Sequence, residues 1–162
     1  MDILTGTGEP REFRVGIVLS TYHDFVTNRL RDGAVEALTN AGVDTKSIVV
    51  VTVPGAFEIP QAARRLAGCG RVDAVICLGC LIRGQTSHFD LIASAVAHGT
   101  TQAALDTGIP MTFGVLTTSS AEEALARAGG GPSNKGWEAA DAVLAMMQLF
   151  RQLHPSGEGD GG

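Results

Sequence analysis

The run Gly79-Cys80-Leu81-Ile82-Arg83-Gly84-Gln85-Thr86-Ser87-His88-Phe89-Asp90 gathers several kinds of chemistry in one short segment. An apolar stretch gives way to a polar turn, and the turn delivers a histidine to the start of a helix. Free backbone amides at a helix start attract anions. Arg83 adds a cation, and His88 is a side chain that both gives and takes a proton near neutral pH. An anion cradle, an arginine and an acid/base group together outline an active site.

The elements that must position this segment follow from hydrophobic periodicity. Strands are predicted over Phe13–Leu19, Ile48–Val53, Val72–Leu81 and Met111–Leu116. The third is apolar almost throughout, as a parallel strand buried on both faces should be. Helices are predicted over Asp24–Asn40, Ile59–Leu66, Phe89–Asp106, Ala121–Ala128 and Lys135–Leu153, with Pro60 tolerated in a first turn. Met1–Arg11 reads as an arm, giving a flexible block over 1–12, one domain over 13–154 and a glycine-rich flexible tail over 155–162. The order βαβαβαβαα predicts an α/β fold. It is a three-layer sandwich around a four-stranded parallel sheet, wound in the flavodoxin-like manner by right-handed crossovers.

In such a sheet ligands bind at the carboxyl ends of the strands. The four ends carry Ser20-Thr21-Tyr22-His23, Pro54-Gly55-Ala56-Phe57-Glu58-Ile59-Pro60, the Arg83–His88 turn, and Leu116-Thr117-Thr118 preceded by Phe113. Converging there, they would supply an aromatic platform, a carboxylate, an anion site and a histidine. Each residue also has a plainer reading. His88 can be a helix-start residue bonded to backbone, and Glu58 a solvated carboxylate favouring its helix dipole. Phe57 and Phe113 can be core, Arg127 a cation at a helix C-terminus, and Tyr22 loop packing.

Composition narrows the function classes. The 162 residues are 44% hydrophobic and only 18% charged, with a net charge of −5. No basic stripe is present to neutralise phosphates, which argues against a nucleic-acid partner. The opening residues lack the pattern of a secretory signal, and no apolar run approaches a membrane span, so the expected setting is cytoplasmic. Few charges imply that copies of the chain cover part of its surface. The last helix points the same way. Trp137, Ala140, Leu144, Met147 and Phe150 form one apolar stripe, and Ala139, Ala142, Met146, Leu149 and Leu153 form a second.

Sharper motifs are missing. Neither a dinucleotide fingerprint after the first strand nor a Ser elbow occurs. The glycines of 129–136 lack the order of a phosphate-binding loop, and the four histidines show no ligand spacing, so neither metal nor cofactor is expected. Cys77 and Cys80 form a C-x-x-C inside a strand, where odd spacing sends them to opposite faces. They read as small hydrophobes.

The segments 54–60 and 78–90, with Phe113-Gly114-Val115-Leu116-Thr117-Thr118 and Asn134-Lys135-Gly136-Trp137-Glu138-Ala139-Ala140, resemble the lumazine synthase family. The resemblance runs from about Phe13 to Leu153. It implies condensation of 5-amino-6-(D-ribitylamino)uracil with 3,4-dihydroxy-2-butanone 4-phosphate to 6,7-dimethyl-8-ribityllumazine, phosphate and water, without metal or cofactor. This is the penultimate step of riboflavin biosynthesis. By resemblance Tyr22 stacks on the pyrimidine, Ala56, Phe57 and Glu58 line the ribityl pocket, and Cys80, Leu81 and Ile82 offer backbone contacts. Gln85 and Thr86 hold the phosphate, His88 transfers protons, and Phe113 and Arg127 come from the adjacent subunit. It also implies a homo-oligomer built from pentamers, possibly an icosahedral shell. The family's aromatic-asparagine pair after the first strand is Tyr22-His23 here. An alternative from another class is a flavodoxin-like carrier that binds FMN without catalysis, using the hydroxyl-rich stretch from Ser20 to Asn28.

Overall fold

Alternating side chains on nearly all-apolar strands leave both sheet faces to be covered, and five helices cover them. The structure, a computed structural model, describes residues 1–10 and 12–154; Arg11 and the predicted tail over 155–162 lie outside the described residues. Strands β1 (Val15–Ser20), β2 (Ile48–Val53), β3 (Ala74–Ile82) and β4 (Met111–Thr118) form one sheet in the order β2-β1-β3-β4. All three ladders are parallel. The helices are α1 (Asp24–Ala41), α2 (Ile59–Gly68), α3 (His88–Thr107), α4 (Ala121–Arg127) and α5 (Lys135–Gln152).

The two faces build two cores. Ile17, Leu19, Ile76, Leu78 and Cys80 pack with α1, α4 and α5, whereas Val18, Val75, Cys77 and Val115 pack with α2 and α3. Cys77 and Cys80 thus fall on opposite faces, as their spacing predicts. Burial pushes the Cys77 thiol up to about 12 and the Cys80 thiol up to about 11, so both stay protonated and behave as hydrophobes.

The predicted order of elements is observed, with shifted ends. β4 runs on through the polar Thr117 and Thr118 because β3 offers a partner as far as Ile82. Its hydroxyl-bearing end reads as loop only when that partner is ignored. At the other edge of the ladder, β1 pairs with β3 only as far as Leu19–Leu78. The last residues of β3 therefore have a neighbour on one side alone, at the point where the strand order reverses.

Helices α1 and α5 meet closely. A Cβ at Gly136 would overlap the Leu30 carbonyl oxygen, and one at Gly33 would overlap the Asn134 side chain. Buried Asn134 caps α5, its Oδ1 accepting from the Gly136 and Trp137 amides at 2.7 and 3.2 Å. Its Nδ2 donates to the Arg29 and Gly129 carbonyls at 3.1 and 2.8 Å. One side chain ties together α1, the glycine turn and α5.

Ala140, Leu144 and Met147 of the first α5 stripe are buried but Phe150 is 40% exposed; of the second, Ala139 is buried whereas Met146 and Leu153 are 38% and 55% exposed. The polar face between them carries the N-terminal arm. Gln148 and Gln152 donate to the Gly8 and Thr5 carbonyls at 2.7 and 2.6 Å, and a Cβ at Gly6 would overlap the Ala145 backbone. Helix α3 is also covered on one side only. It buries Val96, Thr100 and Ala103, yet leaves Leu91 and Leu105 about as exposed as surface residues, at 68% and 74%. Sequence periodicity pointed to α5 and missed α3, whose small and apolar residues are spread all round the helix.

Candidate active site

Three strand ends and one helix start enclose a cleft of about 950 Å³. After β1 come Tyr22 and His23. His23 sits at φ 61°, ψ 46°, immediately before α1. The left-handed conformation is uncommon for a residue with a side chain, although His, like Asn, is enriched there. It turns the chain so that both rings face the cleft, tilted at 58° to each other with centroids 4.4 Å apart, and Phe25 edge-on to His23 at 5.8 Å. Burial lowers the His23 pKa below its ordinary value, so the ring is mainly neutral at pH 7 and offers one donor and one acceptor.

After β2, Pro54 and Gly55 stop the strand and a single 3-10 turn, Ala56–Glu58, leads directly into α2. The turn places Ala56 inward and leaves Phe57 63% exposed on the cleft wall. Phe57 is thus not core. Glu58 lines the same wall, half-buried, at the entrance to α2, where a carboxylate also suits the helix dipole.

Cys80, Leu81 and Ile82 form the floor. Their backbone is paired with Leu116, Thr117 and Thr118 of β4, and the β1 ladder ends before them. The side towards β1 therefore presents main-chain groups to whatever occupies the cleft. Thr86 and His88 close the far end, with the His88 amide donating to Thr86 Oγ1 at 3.4 Å. The neighbouring wall comes from Leu91, Ile92 and Ala95. Those residues follow His88 at i+3, i+4 and i+7, a helical spacing legible in the sequence but not singled out there.

Three predicted site residues lie elsewhere. Gln85 is exposed in the turn and does not line the cleft. Phe113 and Arg127 border a separate groove of about 570 Å³ along the open edge of β4, with Lys135 and Glu138 on its rim. Phe113 is 45% exposed, so it is not core either. Arg127 pairs with Glu123, Nη2 to Oε1 at 3.1 Å, and donates to the Glu123 carbonyl at 3.2 Å. Arg83, the cation that the sequence places in this turn, does not line the cleft and is bonded to Asp90. The carboxylate in the first turn of α3 offers it a fixed bidentate partner, which the open turn does not.

Of the hydroxyls between Ser20 and Asn28, two bond backbone carbonyls and a third is buried. Thr27 donates to the Ser20 carbonyl at 2.7 Å, Thr21 to the Val53 carbonyl at 3.3 Å, and Ser20 is fully buried. Among the described residues no group of three His, Cys, Asp or Glu side chains is arranged to hold a metal, and no helix is long and apolar enough to cross a membrane.

Comparison with known proteins agrees with this geometry. Residues 12–151 match the family described as 6,7-dimethyl-8-ribityllumazine synthase. A protein of that name from Syntrophus aciditrophicus (strain SB) is 49% identical over 140 residues, covering 86% of this chain and 91% of the relative. The match spans every strand and the whole cleft, and on that ground the chain belongs to the 6,7-dimethyl-8-ribityllumazine synthase family.

Proposed function

We propose that this chain is a transferase of riboflavin biosynthesis that joins 5-amino-6-(D-ribitylamino)uracil to 3,4-dihydroxy-2-butanone 4-phosphate. The observation that carries the reading is the shared cleft. Of the twelve residues expected to serve the reaction, Tyr22, Ala56, Phe57, Glu58, Cys80, Leu81, Ile82, Thr86 and His88 line one cavity. The FMN carrier is disfavoured by the family match and by the Thr21 and Thr27 hydroxyls, which bond backbone carbonyls.

The proposed roles follow the chemistry of each wall. Tyr22 stacks on the pyrimidine, and the main chain of Cys80–Ile82 pairs with its polar edge. Glu58 accepts from ribityl hydroxyls beside Ala56 and Phe57. Gln85 and Thr86 hold the phosphate at the start of α3, where free amides favour an anion. The amine attacks the ketone and water leaves to give an imine; phosphate then departs by β-elimination. The product tautomerises, and the second amine closes the ring with loss of another water. Each step moves protons, and in this reading His88 carries them. Holding two reactants together supplies most of the acceleration. The test is an assay with both substrates, following lumazine absorbance. Turnover is expected to be unchanged by EDTA and dialysis and reduced, not abolished, in His88→Ala. A requirement for added divalent metal, or no condensation at all, contradicts the reading.

The separation of Phe113 and Arg127 from the cleft supports a site completed by a second copy. The exposed α3 and α5 faces support the same arrangement. A pentamer is the proposed unit, in a cytoplasmic setting, with an icosahedral shell of pentamers as the favoured assembly. The turn before α5 suits a tight bend. Gly131 takes φ 76°, a left-handed value that glycine adopts freely, and Pro132 follows it at the start of a 3-10 turn that needs no amide there. Light scattering at micromolar concentration and neutral pH is expected to give a mass far above one pentamer. A pentamer mass sinks the shell, and a monomer sinks both.

A further inference from the structure

Arg83 begins the polar turn that delivers His88, yet its side chain does not line the cleft. Nη1 and Nη2 instead donate to the two Asp90 carboxylate oxygens at 3.3 and 3.1 Å, across the turn and into the first turn of α3. The guanidinium also lies 4.5 Å from the centre of the Phe89 ring. The backbone is held on either side. The Arg83 amide donates to the Thr118 carbonyl at 2.8 Å, and the Leu91 amide to the Ser87 carbonyl at 3.3 Å. Between these anchors Gly84 to His88 are all exposed, and three of them, Gly84, Thr86 and His88, line the cleft. A turn of exposed residues with a glycine near its start has little packing of its own to fix it.

We propose that Arg83, Phe89 and Asp90 form a clasp that fixes the turn, so that Arg83 is a positioning residue acting through Thr86 and His88. The inference rests on the reading of this cleft as the condensation site. A planar guanidinium can bond a carboxylate with one edge while a ring covers its face, and only arginine does both. The pair is half-exposed, with 50% and 59% of the two side chains accessible, so it contributes little to global stability. Its consequence is geometric. A misplacement of about 1 Å at reacting groups costs up to roughly a hundredfold in rate.

The test compares Arg83→Ala, Asp90→Ala, the double variant and Arg83→Lys, using both substrates. Each alanine variant is expected to lower kcat by about five- to twentyfold, with KM for the uracil changed by less than about twofold. The double variant is expected to be no slower than the worse single, because both remove one device. Arg83→Lys is expected to recover little, since an ammonium lacks the fork. An Asp90→Ala protein of normal rate beside a slow Arg83→Ala protein would make Arg83 a direct substrate ligand and overturn the clasp. Additive losses in the double variant, normal rates throughout, or an equal rise in both KM values would overturn it too. In each of those cases the wild type turns over and the functional reading survives. A wild type that does not condense the two substrates sinks that reading and the clasp with it.

Discussion

Arg127→Ala is expected to raise KM for the butanone phosphate roughly ten- to hundredfold while leaving KM for the uracil nearly unchanged. A charge-assisted contact to a phosphate contributes about 1.5–3 kcal/mol, which corresponds to that range. The bond that Arg127 makes to Glu123 in the isolated chain is a half-exposed i,i+4 pair and offers weak competition for an incoming phosphate. Because Arg127 borders the β4 groove and His88 the main cleft, the two are expected to meet only across a subunit boundary. Co-assembling Arg127→Ala chains with His88→Ala chains should then regenerate intact sites, roughly one in four at equal mixing in a symmetric ring. Equal effects of Arg127→Ala on both substrates would place the residue elsewhere. Mixed particles no more active than either parent would show that the site is not shared.

Gly136→Ala is expected to destabilise the protein by more than about 3 kcal/mol, against the sign that local preference gives. Inside a helix, alanine is favoured over glycine by about 1 kcal/mol. Here the added methyl would overlap the Leu30 carbonyl oxygen of α1. That atom is backbone, so no rotamer change relieves the contact, and α5 must lift from α1. Lifting it breaks the Asn134 bonds to the Arg29 and Gly129 carbonyls and uncovers Leu30 and Ala140, both fully buried. Overpacking costs of this kind run from about 1 to 3 kcal/mol and higher where backbone must move. For a chain of this size that corresponds to a fall in Tm of roughly 6–12 °C. Gly130→Ala is the matched control. Gly130 has φ −75° and nothing near its Cβ position, so its Tm should stay level or rise slightly. A Gly136→Ala protein as stable as the wild type would show that the helices do not approach this closely.

The two substitutions mark a boundary between local and tertiary information. The sequence by itself determined the order of strands and helices, because apolar runs and 3.6-residue periodicity are local properties of the chain. It placed Glu58 and His88 at helix starts and the two strand cysteines on opposite faces, since these follow from spacing alone. It also located Tyr22, Ala56–Glu58, Cys80–Ile82 and Thr86 at strand ends of one edge, which a parallel sheet brings together. The contacts that only the tertiary structure decided involve partners remote in sequence or competing within a loop. Arg83 reads as a cation beside the anion cradle until Asp90, seven residues further on, is seen to hold it. Thr117 and Thr118 read as loop until β3 is found alongside them. The plainer reading of Phe57 and Phe113 as core rests on their size, whereas a cleft wall and an edge strand leave them exposed. Gly136 reads as a weak helix residue, and only the carbonyl of Leu30, more than a hundred residues earlier, shows why a side chain has no room there.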